Sequence, residues 1–230
     1  AQKIWLSTKK NIEKNSKKKD NIFKAKKLLS IHNIKLQSNF KLEFPNTVIK
    51  KNLRRLKNLP KPWITIGFSC NKTAFLKDNL PYSFYRTWRP EYFSKLINLI
   101  NSKNRKKTIF LIGARNETNL AKKIVSQCKV RNNIIISCKP ILMNLSILTK
   151  TKCFIGNDSG PLNLSGAMGI NSFGLFGASP PIKNVSNINA IVPPSGPVDP
   201  HKFGFNPISL EEGMDLLKPE YVYEKIKKFI

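Results

Sequence analysis

Apolar positions fall into two regimes along the chain. Before about residue 60 they are scattered; from residue 63 they gather into short runs separated by stretches of helical spacing. The runs at 63–69, 108–113 and 133–137 have the length and near-continuous apolarity of strands buried on both faces. Between the first two, Phe93, Leu96, Ile97 and Ile100 share one face of a predicted helix over 90–101, and further helices are predicted over 117–128 and 142–149. A run at 153–156 then opens a strand–turn–helix–strand unit. The turn is Asn157-Asp158-Ser159-Gly160, and Pro161 suits the first helical position because its missing N–H would have no partner there. Small and apolar residues up to Met168 let that helix lie close to a sheet. A second run, 172–176, ends at Gly177, and 190–192 adds one more strand. Strands alternating with helices in this way predict an α/β fold, a parallel sheet covered by helices on both faces.

The flanks are less regular. Residues 4–7 read as a strand end, 9–19 as an exposed lysine-rich run, 23–31 as a helix with Phe23, Leu28 and Leu29 on one face, and 50–57 as a basic helix. Leu59-Pro60-Lys61-Pro62 reads as a linker. The chain thereby divides into 1–58, the incomplete end of one domain, and 59–230, the main domain. At the far end, Ser209 to Glu212 fit a capping box, and 219–229 is a helix opened by Pro219.

With 230 residues the chain can bury a sizeable core. It begins at Ala1 rather than methionine, so an incomplete N-terminus is expected. No apolar run reaches the length of a membrane span, and the start does not read as a signal peptide. Cys70, Cys128, Cys138 and Cys153 are scattered, with no Cys-x-x-Cys and only two histidines in the chain. That argues against a zinc site or a disulfide framework and for reduced thiols in a cytoplasmic protein. The formal charge is +28, from 41 Lys+Arg against 13 Asp+Glu. A field of that sign attracts nucleic acid or anionic lipid. The excess is mostly lysine accompanied by abundant Asn and Ile, as an A/T-rich coding sequence produces, so lysines spread over solvated faces are the plainer explanation. No aromatic–basic recognition motif is present, and no specific nucleic acid is expected as partner; a basic nucleic-acid-binding module is the rival reading. Peripheral contact with an anionic membrane, at the inner face of the cytoplasmic membrane, is a further partner that the charge allows.

In open parallel sheets ligands bind beyond the carboxyl ends of the strands. Ser69, Cys70 and Lys72 follow the first strand, Arg115 and Glu117 the second, Lys139 the third, and Asp158, Ser159 and Gly160 the fourth. Hydroxyls, cations, carboxylates and an open helix N-terminus suit a nucleotide-diphosphate sugar: phosphate takes the cations and N–H groups, sugar hydroxyls the carboxylates. Each residue also has a plainer use. Asp158, Ser159 and Ser69 are good caps, and Glu117 is a first-turn acid favoured by the helix dipole.

The pattern Asn-Asp-Ser-Gly-Pro-Leu-Asn-Leu-Ser-Gly-Ala-Met-Gly over 157–169, closing with Leu-Phe-Gly at 175–177, resembles the signature of the ADP-heptose:lipopolysaccharide heptosyltransferases, glycosyltransferase family 9. In that family's Asp-x-Gly-x-x-His motif Asn163 stands here at the histidine position, able to donate a hydrogen bond but not to carry a charge. The resemblance implies a Rossmann-like domain, the C-terminal half of a GT-B transferase, with the remnant of an N-terminal acceptor domain before it. It implies transfer of a sugar, heptose first among the candidates, from an ADP-sugar to a lipopolysaccharide-type glycan or lipid-linked acceptor, with inversion. No Asp-x-Asp pair is present and the helix dipole with Arg or Lys can neutralise the diphosphate, so no metal or cofactor is expected. By the same resemblance Ser69 and Arg86 contact the donor diphosphate, Glu117 the ribose, and Asp158, Ser159, Gly160 and Asn163 form the loop that holds sugar and phosphate. The general base falls in the N-terminal domain, so no residue here is named as catalytic. The alternative is a donor-binding remnant without activity.

Overall fold

The computed structural model describes residues 45–70, 87–103, 106–177, 181, 187–196 and 213–230. The expectations at 4–7, 9–19, 23–31 and 209–212, and the candidates Lys72 and Arg86, lie outside the described residues.

Among the described residues six strands form one parallel sheet: β1 Trp63–Gly67, β2 Thr108–Ile112, β3 Ile134–Ser137, β4 Thr151–Asn157, β5 Asn171–Leu175 and β6 Ile188–Ile191. Their spatial order is β3-β2-β1-β4-β5-β6. The helices are α1 Asn46–Leu53, α2 Pro90–Lys103, α3 Thr118–Ser126, α4 Ile141–Leu148, α5 Gly160–Ala167 and α6 Pro219–Ile226, with single 3-10 turns at Arg54–Leu56, Arg115–Glu117 and Gly213–Leu216.

The central strands read as nearly unbroken apolar runs because both faces are covered. Ile64, Ile66, Ile109, Leu111 and Ile155 enter a core closed by Phe93, Leu96 and Ile97 of α2, Ala121 and Ile124 of α3, and Val222 and Ile226 of α6. Trp63, Phe110, Ile112 and Phe154, pointing the opposite way as alternate strand residues must, meet Leu53 of α1, Leu145 and Leu148 of α4, and Leu162 of α5. At the carboxyl ends of β1 and β4, Gly67 stands opposite Gly156. A Cβ on Gly156 would lie 2.6 Å from the Gly67 carbonyl oxygen, so this close approach requires the missing side chain.

From β1 the chain steps outward to β2 and β3, then crosses to the other side of β1 for β4, β5 and β6. The direction of winding therefore reverses between β1 and β4, and a crevice opens above their carboxyl ends.

Most boundaries shift by a few residues from the sequence expectations, and three of the shifts bear on the site. The basic helix predicted at 50–57 begins earlier, at Asn46, because half-buried Ile49 and buried Leu53, rather than the lysines and arginines, set its phase against α4. Asn52 fixes that contact, its Nδ2 donating to Ser146 Oγ at 2.8 Å and to the Leu142 carbonyl at 3.2 Å. The first strand stops at Gly67, and Ser69 and Cys70 beyond it line the crevice. The helix predicted from residue 117 opens as a 3-10 turn that brings Glu117 back over its own loop.

Candidate functional site

The crevice is a cleft of about 910 Å³. Each of its four strand ends contributes: Ser69 and Cys70 after β1, Gly113 to Glu117 after β2, Lys139 to Ile141 after β3, and Ser159 to Pro161 after β4. Of the residues singled out from the sequence, Ser69, Glu117, Ser159 and Gly160 are thus brought to one cavity, joined by Arg115, Lys139 and Cys70. Asp158 is half-buried between Asn157 and Ser159 and is not among the lining residues; nor is Asn163, whose Nδ2 donates to the Ser159 carbonyl at 3.2 Å.

The start of α5 is the most open part of this site. Ser159 is its N-cap residue, extended at φ −154° and ψ 170°, yet its side chain makes no capping hydrogen bond. The hydroxyl is buried and has no partner among the described residues, although it borders the cleft. Next to it Gly160 is exposed: a Cβ built there would have no neighbour within 4 Å among the described residues. First-turn N–H groups of a helix lack intrahelical partners, and the aligned peptide dipoles make this end positive. Polar donors thus converge on a space large enough for an anion.

Across the cleft, Glu117 is buried and one of its carboxylate oxygens accepts the Ala114 N–H at 2.6 Å, which holds the loop after β2 in place. Gly113 is needed beneath it, since a Cβ there would stand 2.9 Å from that oxygen and 2.7 Å from the Phe68 ring. Asn144 of α4 supports the same loop and the next one. Its Oδ1 accepts from Ser137 Oγ at 2.8 Å, while its Nδ2 donates to the carbonyls of Gly113 at 3.3 Å and Lys139 at 3.2 Å. The sequence signal was available: Asn144 is the single amide in the apolar segment ILMNLSIL. The cations Arg115 and Lys139 are exposed at the rim, and Pro140, Ile141, Leu145 and Leu148 make an apolar wall.

A second buried amide escaped the sequence reading. Asn157, the last residue of β4, is fully buried; its Nδ2 donates to the Phe68 carbonyl at 3.0 Å and its Oδ1 accepts the Trp88 N–H at 3.1 Å. The sequence placed it in a turn, where asparagine is common for other reasons.

The thiols supply no nucleophile in the core. Burial pushes Cys128 up to about 11 and Cys153 up to about 12, and it raises Cys138 against the opposing hydrogen bond from Thr118. These thiols stay protonated at neutral pH. Among the described residues no group of three or more His, Cys, Asp or Glu is placed to hold a metal ion, and no helix is long and apolar enough to cross a membrane.

Residues 83–190 match the family model for glycosyltransferase family 9 (heptosyltransferase). No curated protein matches the chain. Among solved structures it is similar to E. coli ADP-heptose LPS heptosyltransferase II, with a TM-score of 0.60 and 13% identity, covering 82% of this chain and 53% of that one. It is similar also to a glycosyl transferase family 9 protein from Veillonella parvula DSM 2008, with a TM-score of 0.69, 12% identity and coverage of 93% and 61%. A third similar structure is E. coli heptosyltransferase WaaC with ADP, with a TM-score of 0.61, 15% identity and coverage of 94% and 58%. The chain thus spans 53% to 61% of the length of these three structures. At such identities the likeness is one of fold. The resemblance read from residues 157–177 is borne out, as is the fold: a parallel Rossmann-like sheet of the GT-B type, matching about half of the larger structures.

Proposed function

We propose that the cleft holds a nucleotide-diphosphate sugar, and that the protein transfers this sugar to a glycan or lipid-linked acceptor. The observation that carries this reading is the start of α5, where an unpartnered buried hydroxyl adjoins bare glycine backbone at the switch point of the sheet. A diphosphate oxygen there accepts from Ser159 Oγ and the first-turn N–H groups, and the helix dipole favours its charge. Arg115 and Lys139 at the rim, with Ser69, complete the anion's surroundings. Glu117 and Asp158 accept from ribose and sugar hydroxyls, and the wall formed by Pro140, Ile141, Leu145 and Leu148 suits the face of a base.

In the transfer, the acceptor hydroxyl attacks the anomeric carbon from the side opposite the diphosphate. The bond from that carbon to the phosphate oxygen breaks, configuration inverts, and the charge left on the diphosphate falls on the α5 N-terminus. The acceptor's proton goes to a general base that we assign to no residue of this chain. WaaC has been seen with ADP-2-deoxy-2-fluoro heptose, which makes ADP-heptose the first donor to try, and the name of heptosyltransferase II makes a lipopolysaccharide-type glycan the first acceptor. On this reading residues 1–58 are the end of an acceptor domain and 59–230 the donor domain, with α1 at the junction. A lipid-linked acceptor would bring the protein to the inner face of the cytoplasmic membrane, where the exposed bases of α1 and the neighbouring Ile141 and Leu142 would meet anionic headgroups.

Calorimetry with ADP and ADP-sugars tests the reading. The parent should bind ADP, and Ser159→Ala should bind it roughly five- to thirtyfold more weakly, about 1–2 kcal/mol, with an unchanged or slightly higher melting temperature because a buried unsatisfied hydroxyl is removed. A folded parent that ignores millimolar ADP ends this reading. Donor binding without transfer to any acceptor identifies instead a donor-binding module without activity, a reading favoured by the uncharged Asn163.

A further inference from the structure

We infer that Asn157 is the positioning residue of the donor site, because its single buried amide ties together the three backbone segments that arrange the cleft at the β1/β4 switch point. The inference rests on the donor reading above. The β1–β4 ladder ends at the pair Gly67 and Gly156, one residue short of the cleft. Beyond it the Asn157 side chain takes over, holding the Phe68 carbonyl on one side and the Trp88 N–H on the other. Phe68 leads directly into Ser69 and Cys70, and Asn157 into Asp158 and Ser159. Trp88 follows Thr87, whose Oγ1 lies 2.8 Å from Cys70 Sγ, and is itself pinned by its Nε1 donating to the Leu217 carbonyl at 2.8 Å. A planar primary amide presents a donor and an acceptor side by side, which is what one carbonyl and one N–H require; a carboxylate offers only acceptors.

That difference makes Asn157→Asp a test with a pH signature. As a carboxylate the new side chain still accepts from Trp88 but opposes the Phe68 carbonyl, which drives the end of β1 away from β4 and Ser69 away from Ser159. As a neutral carboxyl its O–H donates to Phe68 and its carbonyl accepts from Trp88, restoring both bonds. Burial and the facing carbonyl keep such a carboxyl protonated above the usual carboxylate range. Charged or titratable groups nearby are Asp158, Cys70, Arg89 with its partner Asp215, and the cleft's Arg115, Glu117 and Lys139; the parent carries all of them. The variant-to-parent ratio of ADP affinity therefore removes their titration and that of ADP itself.

We expect a ratio ten- to hundredfold below one at pH 8 that climbs toward one by pH 5. The control is Asn101→Asp, a buried amide at the opposite end of the sheet, paired with Asn133 at 2.8 Å. It should lower stability yet leave the ratio near one at both pH values. Should Asn157→Asp unfold at pH 8, Asn157→Ser, whose shorter side chain offers one polar atom in place of two, should show a smaller loss that does not vary with pH. Parent-like ADP binding by folded Asn157→Asp at pH 8 or by Asn157→Ser, or a loss matched by Asn101→Asp, overturns the inference while the donor reading stands. A parent that does not bind ADP overturns both.

Discussion

Asp158 lies between a residue locked into the sheet and one whose hydroxyl has no partner among the described residues. The helix begins from Ser159, which is the N-cap residue, so the capping position itself does not fall on Asp158. Placed half-buried at the carboxyl end of β4, its carboxylate is within the loop that borders the cleft. Changing it to asparagine keeps the shape and turns one acceptor oxygen into a donor NH₂. We expect Asp158→Asn to weaken donor-sugar binding by roughly 1–3 kcal/mol, about ten- to a hundredfold, with a nearly unchanged melting temperature. Calorimetry beside thermal unfolding decides the matter: unchanged affinity, or a loss accompanied by a large fall in melting temperature, returns Asp158 to a purely structural role.

Among the elements, the C-terminal segment depends on the turn that leads into α2. Arg89 grips Asp215 with both prongs, Nε to Oδ1 at 2.6 Å and a terminal nitrogen to Oδ2 at 2.5 Å, and this hydrogen bonding raises the guanidinium's affinity for its proton. Lys218 Nζ donates to Tyr92 OH at 2.8 Å, and the Trp88 ring stands edge-on to Phe93 with centroids 5.1 Å apart. Val222 and Ile226 of α6 then complete the core against α2. Asp215 is 3% exposed in this pair whereas Arg89 is 32% exposed. Removing the arginine strands a buried carboxylate, while removing the carboxylate leaves a cation that water still reaches. Arg89→Met should therefore cost about 2–4 kcal/mol in denaturant unfolding, and Asp215→Asn distinctly less. Equal and small losses would show that the pair contributes little and that α6 is held by its apolar face alone.

The net charge of the molecule is +28, and among the described residues part of it is concentrated in one segment. From 45 to 62 there are six basic residues, all exposed, and no acidic one. The neighbouring start of α4 exposes Ile141 and Leu142, which at 55% and 53% are the large apolar side chains most open to solvent among the described residues. Bases beside protruding aliphatic side chains, with no aromatic for a nucleobase to stack on, match an anionic lipid surface better than nucleic acid. The protein should sediment with vesicles containing phosphatidylglycerol and not with phosphatidylcholine alone. Binding should fall steeply with salt, and Arg54→Glu with Arg55→Glu should weaken it by roughly 1 kcal/mol or more per site. Retention on duplex DNA together with indifference to vesicles would favour the nucleic-acid rival.

Local chemistry determined a good part of this. Strands buried on both faces must be apolar throughout, so five of the six lay in the sequence as unbroken or nearly unbroken apolar runs, and Pro161 after Asn157-Asp158-Ser159-Gly160 marked the start of α5. Because a parallel sheet presents all its carboxyl ends on one side, taking the residues after each run was enough to collect Ser69, Arg115, Glu117, Lys139, Ser159 and Gly160 into one cleft. Strand order was beyond local reading, since pairing between β1 and β4 joins residues nearly ninety positions apart and is decided by the packing of the whole sheet. So were the two amides that hold the cleft together. An asparagine in a turn or a helix has many local uses, and only the arrival of Phe68, Trp88, Gly113 and Lys139 beside Asn157 and Asn144 shows what each one bonds. The phase of α1 was hidden for the same reason: its basic residues dominate the sequence, but burial of Leu53 against α4 sets its position.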